Sequence, residues 1–272
     1  MNLLPTLSVI ASIALPTVAL AQDHRGQDTG LQITISGGIV SAPSYLGDDD
    51  YQTTVFPNIS LSYGERLKAS LRGIEYTAII RDNWSAGGIL AYDFGREEDP
   101  GKSDLTISGD ASTDLIGLGD VDGTIEIGGF VEYGAGSIAS RLELRQRVDG
   151  GHDGLHGEAS VSYRGQFDMF AAPAFFSIGP KVTFADDAYN SAYFDVSETQ
   201  SIASGISEYD AGGGINSYGL SASVMMPLSE HTSLVGFVDY DQLTGDVGDS
   251  SIVQERGSQD QVRTGIFINY TF

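Results

Sequence analysis

From Leu31 onward, apolar residues recur at every second position, the repeat of strands with two unlike faces. In 138–148, Ile138, Leu142, Leu144 and Val148 lie on one face, and Arg141, Glu143, Arg145 and Arg147 on the other. In 155–164, Leu155, Ala159, Val161 and Tyr163 alternate with His156, Glu158, Ser160, Ser162 and Arg164. In 262–272, Val262, Ile266, Ile268, Tyr270 and Phe272 alternate with Arg263, Gly265, Phe267 and Asn269. The same alternation runs through 31–40, 55–63, 66–72, 74–81, 84–94, 124–133, 171–184, 216–226 and 233–240. Twelve strands are therefore predicted, each with one face free of charge.

A soluble sandwich would alternate too. Three features point to a bilayer instead. The charge-free face persists through all twelve segments. Its ends carry aromatics, among them Tyr63, Trp84, Tyr92, Tyr133, Tyr163, Tyr218, Tyr240 and Tyr270, as interfacial girdles do. Most segments have about 9–11 residues, the length a tilted strand needs to cross. Short connections (64–65, 81–83, 134–136, 166–169, 229–231) alternate with long ones (41–53, 95–122, 185–215, 241–260, and a shorter 149–153). The alternation requires a tight turn near Arg72-Gly73-Ile74. Polar backbone in lipid must be satisfied by closure. The expected fold is all-β: a transmembrane antiparallel β-barrel of about 12 strands, with short periplasmic turns and long extracellular loops.

The N-terminus fits export. Residues 1–21 read as a signal peptide, with an apolar run from Leu3 to Leu20 and a small-x-small site at Ala19-Leu20-Ala21. Residues 22–29 would then be a short periplasmic tail and 30–272 the barrel. After Gln22 no apolar run reaches the length of a membrane-spanning helix. There is no cysteine, so no disulfide and no thiolate metal site. The formal charge of −23 excludes ordinary nucleic-acid binding, which needs clustered Lys and Arg. Much of the negative charge lies in the long loops, and 95–122 is expected to stay solvated and mobile. The terminal Tyr270-Thr271-Phe272 looks like a recognition signal for the outer-membrane assembly machinery, carried by Tyr270 and Phe272.

Several ordered motifs carry a resemblance. They are Pro43-Ser44-Tyr45-Leu46-Gly47, Tyr92-Asp93-Phe94-Gly95-Arg96, Gly117-Leu118-Gly119-Asp120 leading into Ile125-Glu126-Ile127-Gly128, and Gly179 through Asp187. Tyr209 through Gly214, Gly245-Asp246 and Ser250-Ser251-Ile252-Val253 complete the set, with Ser251 where proline is expected. In this order they resemble the MipA/OmpV family of outer-membrane proteins. The resemblance implies an outer-membrane barrel in contact with lipid and lipopolysaccharide. It also implies a scaffold that binds a lytic transglycosylase and a murein synthase. Some members look like adhesins or solute channels. It supplies no catalytic residues.

The residues themselves name no catalytic motif, and no cofactor or metal is expected. Asp48-Asp49-Asp50 lacks the spacing of a calcium loop and reads as solvated acid, as does Asp186-Asp187. His152 and His156, near Asp149, Asp153 and Glu158, are the one conceivable acid–base group. Residues expected to point inward include Arg66, Lys68, Arg72, Glu75, Arg81, Glu126 and Glu132. The expected lumen charge network is Arg141, Glu143, Arg145, Arg147, His156, Glu158, Arg164 and Arg263. Mixed charge in a narrow barrel favours cross-bracing over an anion-guiding Arg ladder. The function expected is a non-enzymatic envelope scaffold. A narrow passive channel and surface adhesion through the long acidic loops are the alternatives.

Overall fold

The computed structural model describes residues 30–272 except 102, 110, 111 and 171. The expected signal peptide (1–21) and tail (22–29) lie outside the described residues. The strands are β1 (Leu31–Pro43), β2 (Tyr51–Tyr63), β3 (Leu67–Ser70), β4 (Gly73–Arg81), β5 (Trp84–Asp93), β6 (Thr106–Ser108) and β7 (Thr124–Ala135). They continue with β8 (Ile138–Asp149), β9 (Leu155–Met169), β10 (Ala172–Ala185), β11 (Gly214–Pro227), β12 (Thr232–Leu243) and β13 (Asp260–Thr271). Twelve of them close into an antiparallel barrel, because β1 pairs with both β2 and β13. The Phe272 amide donates to the Ile33 carbonyl at 2.9 Å and extends that seam.

The outer wall is apolar. Leu142 and Leu144 are 44% and 39% exposed, whereas the side chains of Arg141 and Arg145 are 25% and 19% exposed and turn inward. Exposed Tyr63, Trp84, Tyr163 and Tyr270 ring the short-turn end, and Tyr51, Tyr92, Tyr218 and Tyr240 ring the other. Trp84 rests on Tyr133 with centroids 4.7 Å apart. Tyr270 meets Phe272 edge-on at 4.8 Å, and both are exposed at the seam.

Three departures from the expected pattern have local causes. In β4 the register shifts between Thr77 and Ile79, so Ala78 is a bulge. The extra residue reverses the faces beyond it. Arg81 then pairs with Trp84 on the outer side and is exposed, not in the lumen as expected. Lys68 keeps the expected inner face, opposite Glu75, but it and Arg66 sit exposed at the short-turn rim, because β3 begins there. Strand pairing reaches Pro43 and Tyr51, which leaves only 44–50 as the first outer loop. β3 is so short that it leaves the outer half of β2 uncovered. The segment β6, drawn from the β5–β7 connection, fills that edge by pairing with Thr53 and Thr54.

The largest correction concerns the long connections. They are folded, not solvated. Tyr45, Leu115, Leu118, Val196, Ile206 and Ile252 form one buried cluster over the barrel mouth. Phe194, Ala211, Leu243, Val247 and Val253 form a second. The connections contain four short helices, α1 (Asp187–Phe194), α2 (Glu198–Ser204), α3 (Gly245–Gly248) and α4 (Ser251–Arg256); Phe194, Val247, Ile252 and Val253 of the clusters lie in α1, α3 and α4. Asp186 caps α1 by accepting the Tyr189 amide at 2.9 Å, so its carboxylate is a helix cap and not free acid. Ser197 and Gln200 form a capping box on α2, and Gly205 ends it in the left-handed conformation. Ser251 is the first residue of α4, where proline would also fit. A bulge in β11 turns Asn216 toward α1, where it exchanges amide hydrogen bonds with Asn190 at 2.7 and 3.0 Å.

Candidate functional site

The lumen divides into charged and aromatic parts. Alternation places Glu126, Phe130 and Glu132 of β7 beside Arg141, Glu143 and Arg145 of β8 on the inner face. Arg141 bridges three carboxylates: Glu132 at 2.6 Å, Glu143 at 2.6 Å, and Glu75 of β4 at 3.0 Å. Its guanidinium also lies 4.4 Å above the Phe130 ring. Arg145 continues the chain to Glu143 at 2.5 Å and to Glu126 at 3.7 Å. Arg147 pairs with Asp153.

At the outer end, His152 Nε2 and His156 Nε2 lie 3.0 and 2.7 Å from one oxygen of buried Glu126. His156 stacks on Tyr189 of α1 at 4.5 Å, and His152 meets the same ring edge-on at 4.8 Å. The three side chains are close enough to hold a metal ion. Ligation through Nε2 would leave the remaining proton of His152 on Nδ1. That atom is buried with no partner, whereas metal-bound imidazoles place this N–H on an acceptor. A hydrogen bond from His152 Nε2 to the carboxylate fits the geometry better. No serine hydroxyl bonds either histidine among the described residues. The arrangement clamps the 150–154 connection and α1 onto the barrel.

A second group lies across the lumen. Lys181 of β10 pairs with Asp241 of β12 at 2.7 Å, and Arg263 of β13 reaches the same oxygen at 3.2 Å. Ser217 donates to Asp241 at 3.3 Å, and Ser221 bonds Asp239. Of the residues expected to form one network, Arg141, Glu143, Arg145 and His156 come together through Glu126. Arg263 belongs to the second group, and Glu158 lies opposite Glu143 in the β8–β9 register. Arg164, opposite Ser177, makes no salt bridge among the described residues. Lys181, Asp239 and Asp241 were absent from the expected set, although they fall on the charged faces of 171–184 and 233–240 or just beyond.

Between the two groups the lumen is aromatic. Phe267 is 1% exposed and packs 6.2 Å from Phe56 and 6.4 Å from Phe237. Val40 and Ala42 complete the cluster. Inward glycines make room for it. A Cβ at Gly38 would meet the Phe267 ring at 2.4 Å, and one at Gly265 would meet the Phe237 ring at 2.5 Å.

The family model of MltA-interacting protein MipA matches residues 35–272. The chain belongs to that family. This MipA-family barrel is an outer-membrane protein. No curated protein matches it. Among solved structures it is similar to the KdgM porin at 8% identity and a TM-score of 0.41, covering 88% of this chain and 99% of that one. It is similar to an anion-selective porin from Comamonas acidovorans at 12% identity and a TM-score of 0.29, covering 89% and 99%. It is also similar to Neisserial surface protein A, at 9% identity and a TM-score of 0.27, covering 89% and 97%. Such distant likenesses concern barrels in general and carry nothing about what this MipA-family member binds.

Proposed function

We propose that this protein is a plugged, non-enzymatic barrel that serves the cell envelope as a scaffold. On this reading it holds a lytic transglycosylase, and with it a murein synthase, at the inner surface of the outer membrane. The transglycosylase partner rests on the family's printed name, MltA-interacting protein. The observation that favours a scaffold over a channel is burial of the inner wall. Val235, Phe237, Asp239 and Asp241, the successive inward side chains of β12, are all buried. A water-filled lumen would leave that face wet. The folded cap lies over the same end.

The surface left for a periplasmic partner is the short-turn rim. There Phe170, at the tip of the β9–β10 turn, is 89% exposed, and Leu228 is exposed beside β11. The test pairs two measurements on the refolded full chain. In a planar bilayer the barrel should pass no steady single-channel current. In a pull-down it should retain the transglycosylase, and Phe170→Asp with Leu228→Asp should release it. Steady ion-selective steps from the unmodified barrel, with retention unchanged in the double variant, would replace the scaffold with a channel.

A further inference from the structure

The β1–β2 loop and the β5–β7 connection meet in the cap at three carboxylates. One oxygen from each of Asp48, Asp50 and Asp114 lies within 4.8 Å of the others. Asp48 is 0% exposed. Its Oδ1 accepts the Asp50 amide at 3.1 Å, but its Oδ2 is buried with no hydrogen-bond partner. No Lys, Arg or His makes a salt bridge to any of the three among the described residues. The nearby Arg256 guanidinium is committed to the carbonyls of Asp114 and Ser204. A buried carboxylate that lacks a partner must either take up a proton or hold a cation.

We propose that Asp48, Asp50 and Asp114 form a calcium site that ties these two cap segments together. The donors are all hard oxygens, as calcium prefers. Three carboxylates from two irregular segments suit calcium's flexible shell of about 6–8 oxygens better than the near-ideal octahedron that magnesium demands. Water can complete the shell, because Asp50 is exposed and a cleft lined by Ser44, Tyr45 and Ser112 opens beside it. With three carboxylates and no distal bidentate glutamate, the site belongs with weak extracellular modules, with Kd on the order of 10⁻⁴–10⁻³ M. The run 48–50 shows no calcium-loop spacing because Asp114 arrives from another connection. The loop is buried because Gln261 and α4 close over it: Gln261 accepts the Gly47 amide at 3.1 Å and donates to the Asp48 carbonyl at 3.1 Å.

Tyr45 supplies an optical probe. Its carbonyl accepts the Asp48 amide at 3.1 Å, and its ring is buried in the adjoining cluster. Terbium(III), a calcium mimic, emits when a neighbouring tyrosine is excited. The experiment titrates terbium into the refolded full chain after chelation. Emission should saturate at one ion per chain and be displaced by calcium more readily than by magnesium. Asp48→Asn and Asp114→Asn should each lose it while keeping the compact gel mobility of the folded barrel. Tyr45→Phe should dim the emission yet leave calcium affinity by calorimetry within about twofold of the parent. Asp99→Asn, in the same connection, should change neither. The site is overturned if the parent shows no saturable emission, or if both folded Asp48→Asn and Asp114→Asn bind calcium as the parent does.

Discussion

Arg141 offers the sharpest test of how the lumen is held. Replacing it with methionine keeps the length of the stem and removes one positive charge from among three carboxylates. Glu143 keeps Arg145 at 2.5 Å, and Glu132 keeps the Ser85 hydroxyl at 3.1 Å. Glu75 loses its salt bridge. Removing one partner of a buried ion pair costs about 3–5 kcal/mol, mostly from the charge left behind. The side chains involved are 16% to 39% exposed, so water screens part of this. A loss of about 2–3 kcal/mol is expected. At a urea dependence of about 2–3 kcal/mol per molar, that moves the midpoint down by about 1 M.

The assay is equilibrium urea unfolding in lipid vesicles, followed by the emission of Trp84, the protein's single tryptophan. Trp84 sits in the short-turn girdle, so its emission shifts to the red when the wall leaves the bilayer. Adding Glu75→Gln to Arg141→Met should recover about 1 kcal/mol, because the stranded charge is gone. Glu75→Gln alone should destabilise, since it breaks a working pair. An Arg141→Met variant within about 0.5 kcal/mol of the parent would refute the bracing role. So would a double variant weaker than the single by the full cost of Glu75→Gln, since strict additivity means no coupling.

Three further outcomes follow from the same structure. Phe267→Ala removes the central ring of the lumen cluster, which should cost about 3–5 kcal/mol; combined with Phe56→Ala it should convert a silent barrel into one that passes current in a planar bilayer. Asn216→Ala strands the Asn190 amide oxygen, whose nitrogen keeps the Gly212 carbonyl, and should cost about 1–3 kcal/mol locally, read as faster proteolytic nicking within 186–213 while the barrel strands stay protected. In chelated buffer, burial pushes the Asp48 carboxyl from 3.8 up to about 6. Its contribution is therefore fully present below about pH 3.8 and is lost as pH rises through 6. That is about 2–3 kcal/mol of cap stability, measurable as lower hydrogen-exchange protection factors at 44–50, corrected for intrinsic rates, at pH 7 than at pH 5. Asp48→Asn should flatten that difference.

The wall was legible because lipid forbids charge on one face, and a period of two then assigns every neighbour. Leu142 and Leu144 against Arg141 and Arg145 need no further information. Arg81 defeated the rule because a single bulge at Ala78 carries no composition signal. The cap was hidden for a different reason. Leu115, Leu118 and Val121 are buried, yet they sit three apart in a stretch dominated by Asp, Glu, Gly and Ser, and no long amphipathic run announces them. Their partners lie on three other connections. The same non-locality hid the Asn190–Asn216 exchange and the junction of Asp48 with Asp114. The inner charges were legible as a set, but their division into the Arg141 group and the Lys181–Asp241–Arg263 group depends on which strands become neighbours around the ring.

The acidic residues of the cap are used, and this changes how the outer loops should be probed. Glu98 Oε2 accepts the amides of Gly117 and Gly119 at 2.8 and 3.0 Å, while the Glu98 amide donates to Asp120 at 2.8 Å. Asp195 accepts the Ala211 amide at 2.7 Å, and Glu255 accepts that of Ser207. Irregular backbone leaves N–H donors that no ladder satisfies, and ionised acceptors bind them more strongly than neutral ones. The negative charge thus replaces secondary structure as the means of fixing the connections. Deleting 98–118 would not trim a free loop. It would take Leu115 and Leu118 out of the cap cluster, strip β6 from the edge of β2 and remove Asp114. Any surface role of the cap is better tested by changing outward side chains such as Ile107, Ile116 and Ile202, which are exposed and belong to none of the buried clusters.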